Sequence, residues 1–495
     1  MSERTSTVRA PEGAAPAVNP WPALWAMVIG FFMILVDTTI VSVANPAIKA
    51  ALDPSTGNLD NVVWVTSSYL LAYAVPLLVT GRLGDRFGPK NIYLIGLAIF
   101  TIASLACGLS GSLAVLVIAR AVQGLGAALM TPQTMAVITR TFPAERRGAA
   151  MGLWGATAGV ATLVGPLAGG LLVDGFGWEW IFFVNIPVGV VAFVLAWRLV
   201  PQLETHPHRF DVVGVVLSAI GLFLIVFGLQ EGEHYEWAAG IWAMIGAGVV
   251  VMAVFVWTQG RTKSEPLVPL ELFRDRNFAI SNLAIAAVGF TVTSMALPMA
   301  FFTQLARGLT PTQSALLLVP MAVLSGALAP LAGRILDRVD PRLLLVPGLT
   351  LMVLGLVGYA LLMNTEAPVL LLLIPAAIIG VANAGMWGPL ATTATRNLPP
   401  RQAGAGSGIY NTTRTVGSVI GSAAIAAYMQ SRLTANLPGA GDAAGGNFGG
   451  GAMPPAIAEG FSAAMAQAMI LPAIVIGVAV IVVIFLKRPA HLVRR

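Results

Sequence analysis

The sequence predicts an all-α polytopic membrane protein with fourteen transmembrane helices, built as two six-helix halves with two inserted helices between them. Of its 495 residues, 57% are hydrophobic and only 10% are charged, and the mean hydropathy is +0.82. Soluble domains carry about 25% charged residues, so this chain has too few charges to cover a water-facing surface. Most of its exterior must therefore face lipid.

The count of fourteen comes from scanning the chain for apolar stretches. A helix needs about 20 mostly apolar residues to cross the hydrocarbon core. Six such stretches lie near 22–45, 62–80, 92–110, 113–137, 148–172 and 180–199. Two follow near 212–229 and 239–258, and the last six lie near 278–303, 313–333, 343–362, 368–392, 404–428 and 464–486. The first stretch exceeds the roughly 7–15-residue core of a signal peptide, so we expect it to be retained.

These stretches divide the chain into six predicted segments. They are an N-terminal tail (1–21), an N-terminal six-helix half (22–200), the two inserted helices (201–260), a linker (261–277), a C-terminal six-helix half (278–486) and a C-terminal tail (487–495).

Basic residues predict the orientation, because they are enriched in cytoplasmic loops. With the N-terminus in the cytoplasm, the only basic residues in outer segments are Lys49, Arg307 and Arg432. Arg120 and Arg414 lie inside spans, and the rest of the 28 Lys and Arg lie on the cytoplasmic side. An even number of spans returns the C-terminus to the same side. We therefore predict a multi-pass protein of the cytoplasmic membrane with both termini cytoplasmic.

A short charged pattern occurs twice in the chain. GRLGDRFGPK (Gly81–Lys90) stands between spans two and three, and GRILDRVDPR (Gly333–Arg342) stands between spans ten and eleven. Both read Gly-Arg-x-x-Asp-Arg, and they occupy matching positions if spans seven and eight are an insertion. This repeat predicts the two halves. Parallel six-helix halves are a transporter architecture with substrate held between them near the midplane.

Four ordered stretches carry a resemblance to a known family. They are LVDTTIVSVANPAI (Leu35–Ile48), GRLGDRFGPK, ARAVQGLGAA (Ala119–Ala128) and GVATLVGPLAGG (Gly159–Gly170). They resemble the first-helix, loop, fourth-helix and antiporter fifth-helix signatures of the major facilitator superfamily, in its fourteen-span drug:proton antiporter branch of the multidrug efflux type. WEWIFFVNIP and YNTTRTVG are weaker matches. Glu179 departs from the family pattern, which often has Arg between the two tryptophans.

The resemblance implies that GRLGDRFGPK is a gating loop, with Gly81, Asp85, Arg86 and Gly88 as its main residues. Asp85 would face the N-terminus of the thirteenth helix, near Ala403. A helix dipole favours an anion there by about 0.3–1 kcal/mol. The contact would form when the cytoplasmic side is closed and break when it opens. The alternative is a solvated loop that only sets topology.

Asp37 and Arg120 are the predicted proton-coupling pair. Charges inside a span are costly and usually face a cavity or a partner. At 1.5 Å per residue, both residues lie roughly 10–12 Å below the outer surface, and the resemblance implies that their helices are neighbours. Apolar surroundings favour the protonated carboxyl, whereas a guanidinium favours the carboxylate. Asp37 is thus the predicted proton carrier and Arg120 its tuner, with Gln123 completing the network. The alternative is a static ion pair.

The fifth-helix signature places several small residues and one proline on a single helix: Gly159, Gly165, Pro166, Gly169 and Gly170. Small residues allow close helix packing, and proline permits a kink. The resemblance implies a bend that seals the interface between the halves, and a plain packing face is the alternative.

Other polar or amphipathic residues inside spans are candidates for a substrate cavity: Gln123, Met130, Tyr69, Tyr73, Trp154, Asn383, Trp387, Asn411 and Arg414. Arg414 has no obvious acidic partner in a span, so we expect it to border the cavity or to reach the ends of other helices. Each of the others is equally compatible with packing.

Several function classes are excluded by the sequence. It contains neither a P-loop motif nor a nucleophile–base or metal-ligand cluster, which indicates a cofactor-free transporter driven by a proton gradient and not an enzyme. The basic residues are scattered and form no stripe for nucleic acid. We predict a proton-coupled antiporter, a monomer, that exports hydrophobic or amphipathic, often cationic, small molecules. The alternatives are an exporter of an endogenous lipid or secondary metabolite, or a proton-coupled nutrient importer. A periplasmic or envelope adaptor stays an open question.

Overall fold

The computed structural model describes residues 19–52, 60–143, 146–205, 211–232, 234–262, 265–437 and 455–487, and all regular secondary structure within these ranges is helical. The two predicted tails lie almost entirely outside the described residues.

The N-terminal half contains eight helices over the six predicted spans. They are α1 (Trp21–Leu52), α2 (Asp60–Ala74), α3 (Leu77–Phe87), α4 (Pro89–Gly108), α5 (Leu113–Thr141), α6 (Arg147–Phe176), α7 (Trp180–Phe183) and α8 (Asn185–Leu199). The inserted helices are α9 (Val212–Glu231) and α10 (Ala239–Arg261).

The C-terminal half repeats this order. Its helices are α11 (Arg276–Phe301), α12 (Pro311–Leu316), α13 (Val319–Leu336), α14 (Arg342–Leu362), α15 (Leu373–Thr395), α16 (Ala403–Asn436), α17 (Pro455–Ala468) and α18 (Ile470–Ile484). Short 3₁₀ segments at Leu270–Arg274, Val369–Leu372 and Pro400–Gln402 and a π-helical turn at Phe302–Ala306 connect or extend them.

Twelve helical segments in the described residues are long and apolar enough to cross a membrane, or thirteen if the bent pair Trp64–Ala74 and Leu77–Phe87 is one span. The chain is thus an all-helical polytopic membrane protein. The predicted span 404–428 lies within α16, a helix of 34 residues. Its run of glycine, threonine and asparagine is too polar to count as a span by hydropathy, so fourteen spans stays a prediction.

The structure corrects the prediction that Gly81–Lys90 is a loop. The chain bends by 47° between Ala74 and Leu77, where Pro76 lacks the backbone N–H that would continue the helix. It then stays helical through Phe87. The reversal is confined to Gly88, whose φ of 89° lies in the left-handed region that glycine adopts without penalty. Pro89 begins α4 at a position that needs no donor.

The inserted helices pack against both halves. Val226 of α9 lies in an apolar cluster with Leu71 and Ala74 of α2 and Val419 of α16. At one end of the pair, Asp211 caps α9 by accepting from the Gly214 N–H at 2.8 Å and from the Gln259 amide at 2.6 Å. The insertion is therefore an ordered part of the bundle, seated beside the seam between α2 and α16.

Glycine contacts bring the two halves together. Gly81 of α3 packs on Gly404 of α16, and Gly148 of α6 packs on Gly333 of α13, in each case with backbone against backbone. A β-carbon at either position would collide with the facing carbonyl oxygen. All these contacts lie at the end of the bundle that holds Asp85 and Asp337, which we call the latch end.

Candidate functional site

Asp37 of α1 and Arg120 of α5 form a buried ion pair inside the N-terminal half. Arg120 NH1 lies 2.6 Å from Asp37 Oδ2, and their side chains are 1% and 0% exposed. An isolated charge would be costly at this depth, and the pair offsets part of that cost. The structure therefore brings the two predicted proton-coupling residues into direct contact.

Two neutral amides complete the shell around Asp37, and a serine hydroxyl lies behind them. The Gln123 amide donates to Asp37 Oδ1 at 2.9 Å, and the Asn185 amide donates to the same oxygen at 3.0 Å. Ser104 Oγ accepts from Gln123 at 2.7 Å. The network thus joins α1, α4, α5 and α8. Sequence reasoning missed Asn185 and Ser104, although an amide inside the apolar WEWIFFVNIP was a usable signal.

Arg120 has several further partners. Its Nε donates to the Val65 carbonyl at 3.1 Å and its NH1 donates to Gln123 Oε1 at 2.6 Å. The guanidinium also lies over the Tyr69 ring, 4.1 Å from the centroid, a favourable cation–π geometry. Arg120 would therefore keep partners on α2 and α5 if Asp37 lost its charge.

A line of contacts leads from this network to the other half. The Tyr69 and Tyr73 rings stack with centroids 6.2 Å apart and planes 4° apart. Arg414 NH2 of α16 donates to the Tyr73 hydroxyl at 3.2 Å. Four of the predicted residues (Arg120, Tyr69, Tyr73 and Arg414) are therefore contiguous, and they connect α5 to α16 through α2.

At the latch end, Asp85 caps the N-terminus of α16. The N–H groups of Gly404 and Ala405 donate to Asp85 Oδ1 and Oδ2, both at 2.9 Å, and Asp85 is 1% exposed. Nearby, Arg82 NH2 donates to the Pro266 carbonyl of the linker at 2.6 Å. The carboxylate supplies both the charge and the acceptors that a helix N-terminus favours. Arg86 lies outside this contact, with its guanidinium carbon 5.0 Å from the centre of the Phe87 ring.

Asp337 makes the matching contact in the opposite direction. The N–H groups of Gly148 and Ala149 at the start of α6 donate to its two carboxylate oxygens at 2.9 and 3.3 Å. Arg396 NH2 lies 3.8 Å from Asp337 Oδ1. Sequence reasoning found the repeat but missed this second cap, because the repeat does not say which helix the carboxylate faces.

The predicted antiporter helix, α6, faces two different neighbours. Gly159 packs on Ser325 of α13 in the other half. Gly165 packs on Thr39 of α1, two residues from Asp37. Pro166 lies inside the helix, Gly169 is buried, and Gly170 is close to Thr312. The small residues therefore permit close packing on both sides of α6, against the other half and against the helix that carries Asp37.

The remaining cavity candidates are mostly packed. Met130 is buried in the core of the N-terminal half, and Trp154 is buried with its ring stacked on Phe31 at 4.8 Å. Trp387 backs onto Gly155 of α6 across the interface. Asn383 and Asn411 are buried polar residues of α15 and α16, and the side-chain oxygen of each has no hydrogen-bond partner.

The chain is similar to a known protein family and to several transporters. Residues 27–422 match the family model described as Major Facilitator Superfamily. An uncharacterised transporter of Mycobacterium tuberculosis, Rv1250, is 52% identical over 97% of this chain and 83% of its own length. The tetracenomycin C resistance and export protein of Streptomyces glaucescens is 34% identical over 87% of this chain and 80% of its own length. The multidrug resistance protein Stp of M. tuberculosis is 35% identical over 83% and 76%, respectively.

A solved structure has the same fold. The proton:xylose symporter XylE aligns with a TM-score of 0.64 over 94% of this chain and 96% of its own, at 16% sequence identity. At that identity the likeness concerns the fold alone.

Proposed function

Because the chain belongs to the major facilitator superfamily, in its drug:proton antiporter family, and is a transporter and not an enzyme, we propose the following activity. It exports hydrophobic or amphipathic small molecules across the cytoplasmic membrane in exchange for protons, by alternating access. We propose fourteen spans, both termini in the cytoplasm, a monomer and no cofactor. The observation that carries this proposal is the enclosed Asp37–Arg120 pair, joined through Tyr69 and Tyr73 to the opposite half.

The proton step takes place at Asp37. A proton on this carboxyl cancels its attraction to Arg120, and the guanidinium retains Val65, Gln123 and the Tyr69 ring as partners. Protonation therefore weakens the contact between α1 and α5, while Arg120 keeps its remaining hydrogen bonds and its cation–π contact. Gly165 packs on α1 close to this site, so the loosening also reaches α6, which contacts the other half.

The alternating step uses the two carboxylate caps. Both are formed in this structure, which is therefore the state with the latch end closed. Opening that end must separate Asp85 from α16 and Asp337 from α6. Proton and substrate binding shift the balance between closed and open by favouring one state over the other.

The decisive experiment uses purified Asp37→Asn protein reconstituted in proteoliposomes. A pH gradient is imposed across the vesicle membrane, and the proton release that each candidate substrate drives is measured. A proton carrier predicts at least a tenfold loss of gradient-driven transport with binding of a neutral substrate retained. Asp174→Asn, an exposed acid on α6, is the matched control and should transport normally.

The double variant Asp37→Asn/Arg120→Gln separates the carrier from a structural ion pair. Breaking a buried pair costs about 3–5 kcal/mol, so a structural role predicts a large loss of thermal stability in Asp37→Asn. The double variant would then recover stability and transport together. Gradient-driven export by a stable double variant would overturn the assignment of Asp37 as the carrier.

An alternative cargo is an endogenous lipid or secondary metabolite, which the tetracenomycin C export relative supports. It keeps the same fold and proton step. The resistance and export names of these two relatives, the tetracenomycin C protein and Stp, favour export over import of a nutrient. Uptake of labelled substrate is measured in the same proteoliposomes with the pH gradient applied in each orientation. This measurement distinguishes export in exchange for protons from import together with protons.

A further inference from the structure

Asp37, the acid that the sequence places inside a span beside Arg120, is not available to a cationic substrate. Asp37 is 0% exposed, and its oxygens already accept from Arg120, Gln123 and Asn185. A ligand cation would have to displace Arg120 from a shell of hydrogen bonds. A charged side chain in contact with a molecule between the halves would therefore be a different residue.

Arg414 lies at the seam between the halves, where such a contact could form. It is located on α16, partly exposed, and its NH2 reaches across to the Tyr73 hydroxyl of the opposite half at 3.2 Å. This places the guanidinium at the seam between the halves. Its Nε is buried and has no hydrogen-bond partner, and in the described part of the chain no carboxylate lies within 4.0 Å of it. A cation left in this condition inside a membrane bundle calls for an anionic partner.

The surroundings of Arg414 add further unpaired groups. One turn before it on α16, the Tyr410 hydroxyl and Asn411 Oδ1 are buried without partners. Across the seam, the hydroxyl of Tyr69, which stacks on Tyr73, is also unpaired. Residues three and four apart are neighbours on a helix surface, so Tyr410 and Asn411 each lie next to Arg414 on α16. The seam around Arg414 thus carries unpaired tyrosine hydroxyls, which can donate, and one unpaired amide oxygen, which can only accept.

We infer that the seam at Arg414 binds the anionic oxygen group of an aromatic amphiphile, such as a carboxylate or phenolate. The guanidinium matches a planar carboxylate with two parallel hydrogen bonds, and the ring of Tyr73, whose hydroxyl it already contacts, lies beside it. This site rests on the proposed function in that the ligand is the exported molecule. It assigns that molecule an acidic end, in place of the cationic one expected from the sequence.

Binding also has a mechanical consequence. An anion that takes Arg414 competes with the Tyr73 hydroxyl for the same guanidinium. Tyr73 stacks on Tyr69, which in turn lies under Arg120. A ligand bound at Arg414 would thereby affect the Asp37 network through the rings of Tyr73 and Tyr69.

The test compares three probes with one aromatic body: 1-pyrenebutyrate, its neutral amide and 1-pyrenebutylamine. Binding to the full chain in phosphatidylcholine nanodiscs is followed by energy transfer from tryptophan to pyrene, with empty nanodiscs as background. No pH gradient is applied. Wild type should bind the carboxylate about tenfold more tightly than the amide, which is roughly 1.4 kcal/mol, and should bind the amine least.

Arg414→Gln should bind the carboxylate and the amide equally, and Arg414→Lys should restore part of the difference. Arg432→Gln is the matched control, because Arg432 lies farther along α16 beside Tyr428, and it should behave as wild type. Tightest binding of the amine by wild type, or an undiminished carboxylate preference in Arg414→Gln, would overturn the inference. A wild type that prefers the carboxylate but releases no protons in proteoliposomes would instead overturn antiport and leave this site standing.

Discussion

Asp85 and Asp337 occupy the same position in the two copies of Gly-Arg-x-x-Asp-Arg, and each caps a helix of the opposite half. Their settings differ. Asp85 is 1% exposed and accepts two backbone N–H groups at 2.9 Å. The Asp337 side chain is 10% exposed, its second N–H contact is 3.3 Å long, and Arg396 lies 3.8 Å away.

The difference shows that two copies of one sequence pattern need not stabilise the closed state equally. Asp85 lies within the last turn of α3, wedged between α3 and α16, whereas Asp337 stands just past the end of α13. Hydrogen bonds to a charged group are stronger where water is excluded. We therefore expect the Asp85 cap to contribute more to closing the latch end than the Asp337 cap.

The largest fall in the population with the latch end closed should come from substituting the glycines next to the two caps. The fall should be equal for the two glycines. Gly81→Ala would place a β-carbon against the Gly404 carbonyl, and Gly333→Ala would place one against the Gly148 carbonyl. Backbone atoms cannot rotate away, so the halves must separate at a cost at or above the roughly 3 kcal/mol upper range for overpacking. That cost lowers the closed population by about a hundredfold.

The measurement is the distance between spin labels at Lys90→Cys on α4 and Arg401→Cys just before α16, read by pulsed electron spin resonance. Native Cys107 is buried, so protein without introduced cysteines is the labelling control. Gly477→Ala on α18, where a β-carbon meets nothing within 4 Å, should leave the distance unchanged. A normal short distance in Gly81→Ala would refute the close inter-half contact.

The next largest effect should come from Asp85→Asn. The amide keeps one acceptor but loses the charge, and charged hydrogen bonds exceed neutral ones by about 1–2 kcal/mol. The closed population should fall roughly five- to thirtyfold in the same spin-label experiment, with normal insertion. An unchanged distance distribution would reduce Asp85 to a residue that sets topology.

The smallest effect should come from the second cap. Asp337→Asn should shift the closed population less than Asp85→Asn, because one of the two N–H contacts of Asp337 is longer, at 3.3 Å, and its carboxylate is less completely buried. A double-mutant cycle with Arg396→Gln gives the coupling energy of the Asp337–Arg396 pair. An effect of Asp337→Asn equal to that of Asp85→Asn would show that burial does not set the strength of these caps.

The sequence by itself determined the class of the protein and the identity of its key charges. Its poverty in charge requires a lipid-facing surface. The position of Asp37 and Arg120 inside long apolar stretches can be read directly from the sequence. The repeat around Asp85 and Asp337 is visible in the letters alone. These features depend on local composition and spacing, which a sequence states directly.

Only the tertiary structure decided which groups meet across the bundle. The bend at Pro76 and the helical path through Phe87 turned a predicted loop into a cap seated against α16. Asn185 reaches Asp37 from α8, and Arg414 reaches Tyr73 from the other half. Helices of similar composition can pack in many ways. Which helices pack together depends on close contacts, such as those between glycines, of residues far apart in the chain. Gly81 on Gly404 and Gly148 on Gly333 set that packing, and no local pattern specifies which glycine faces which.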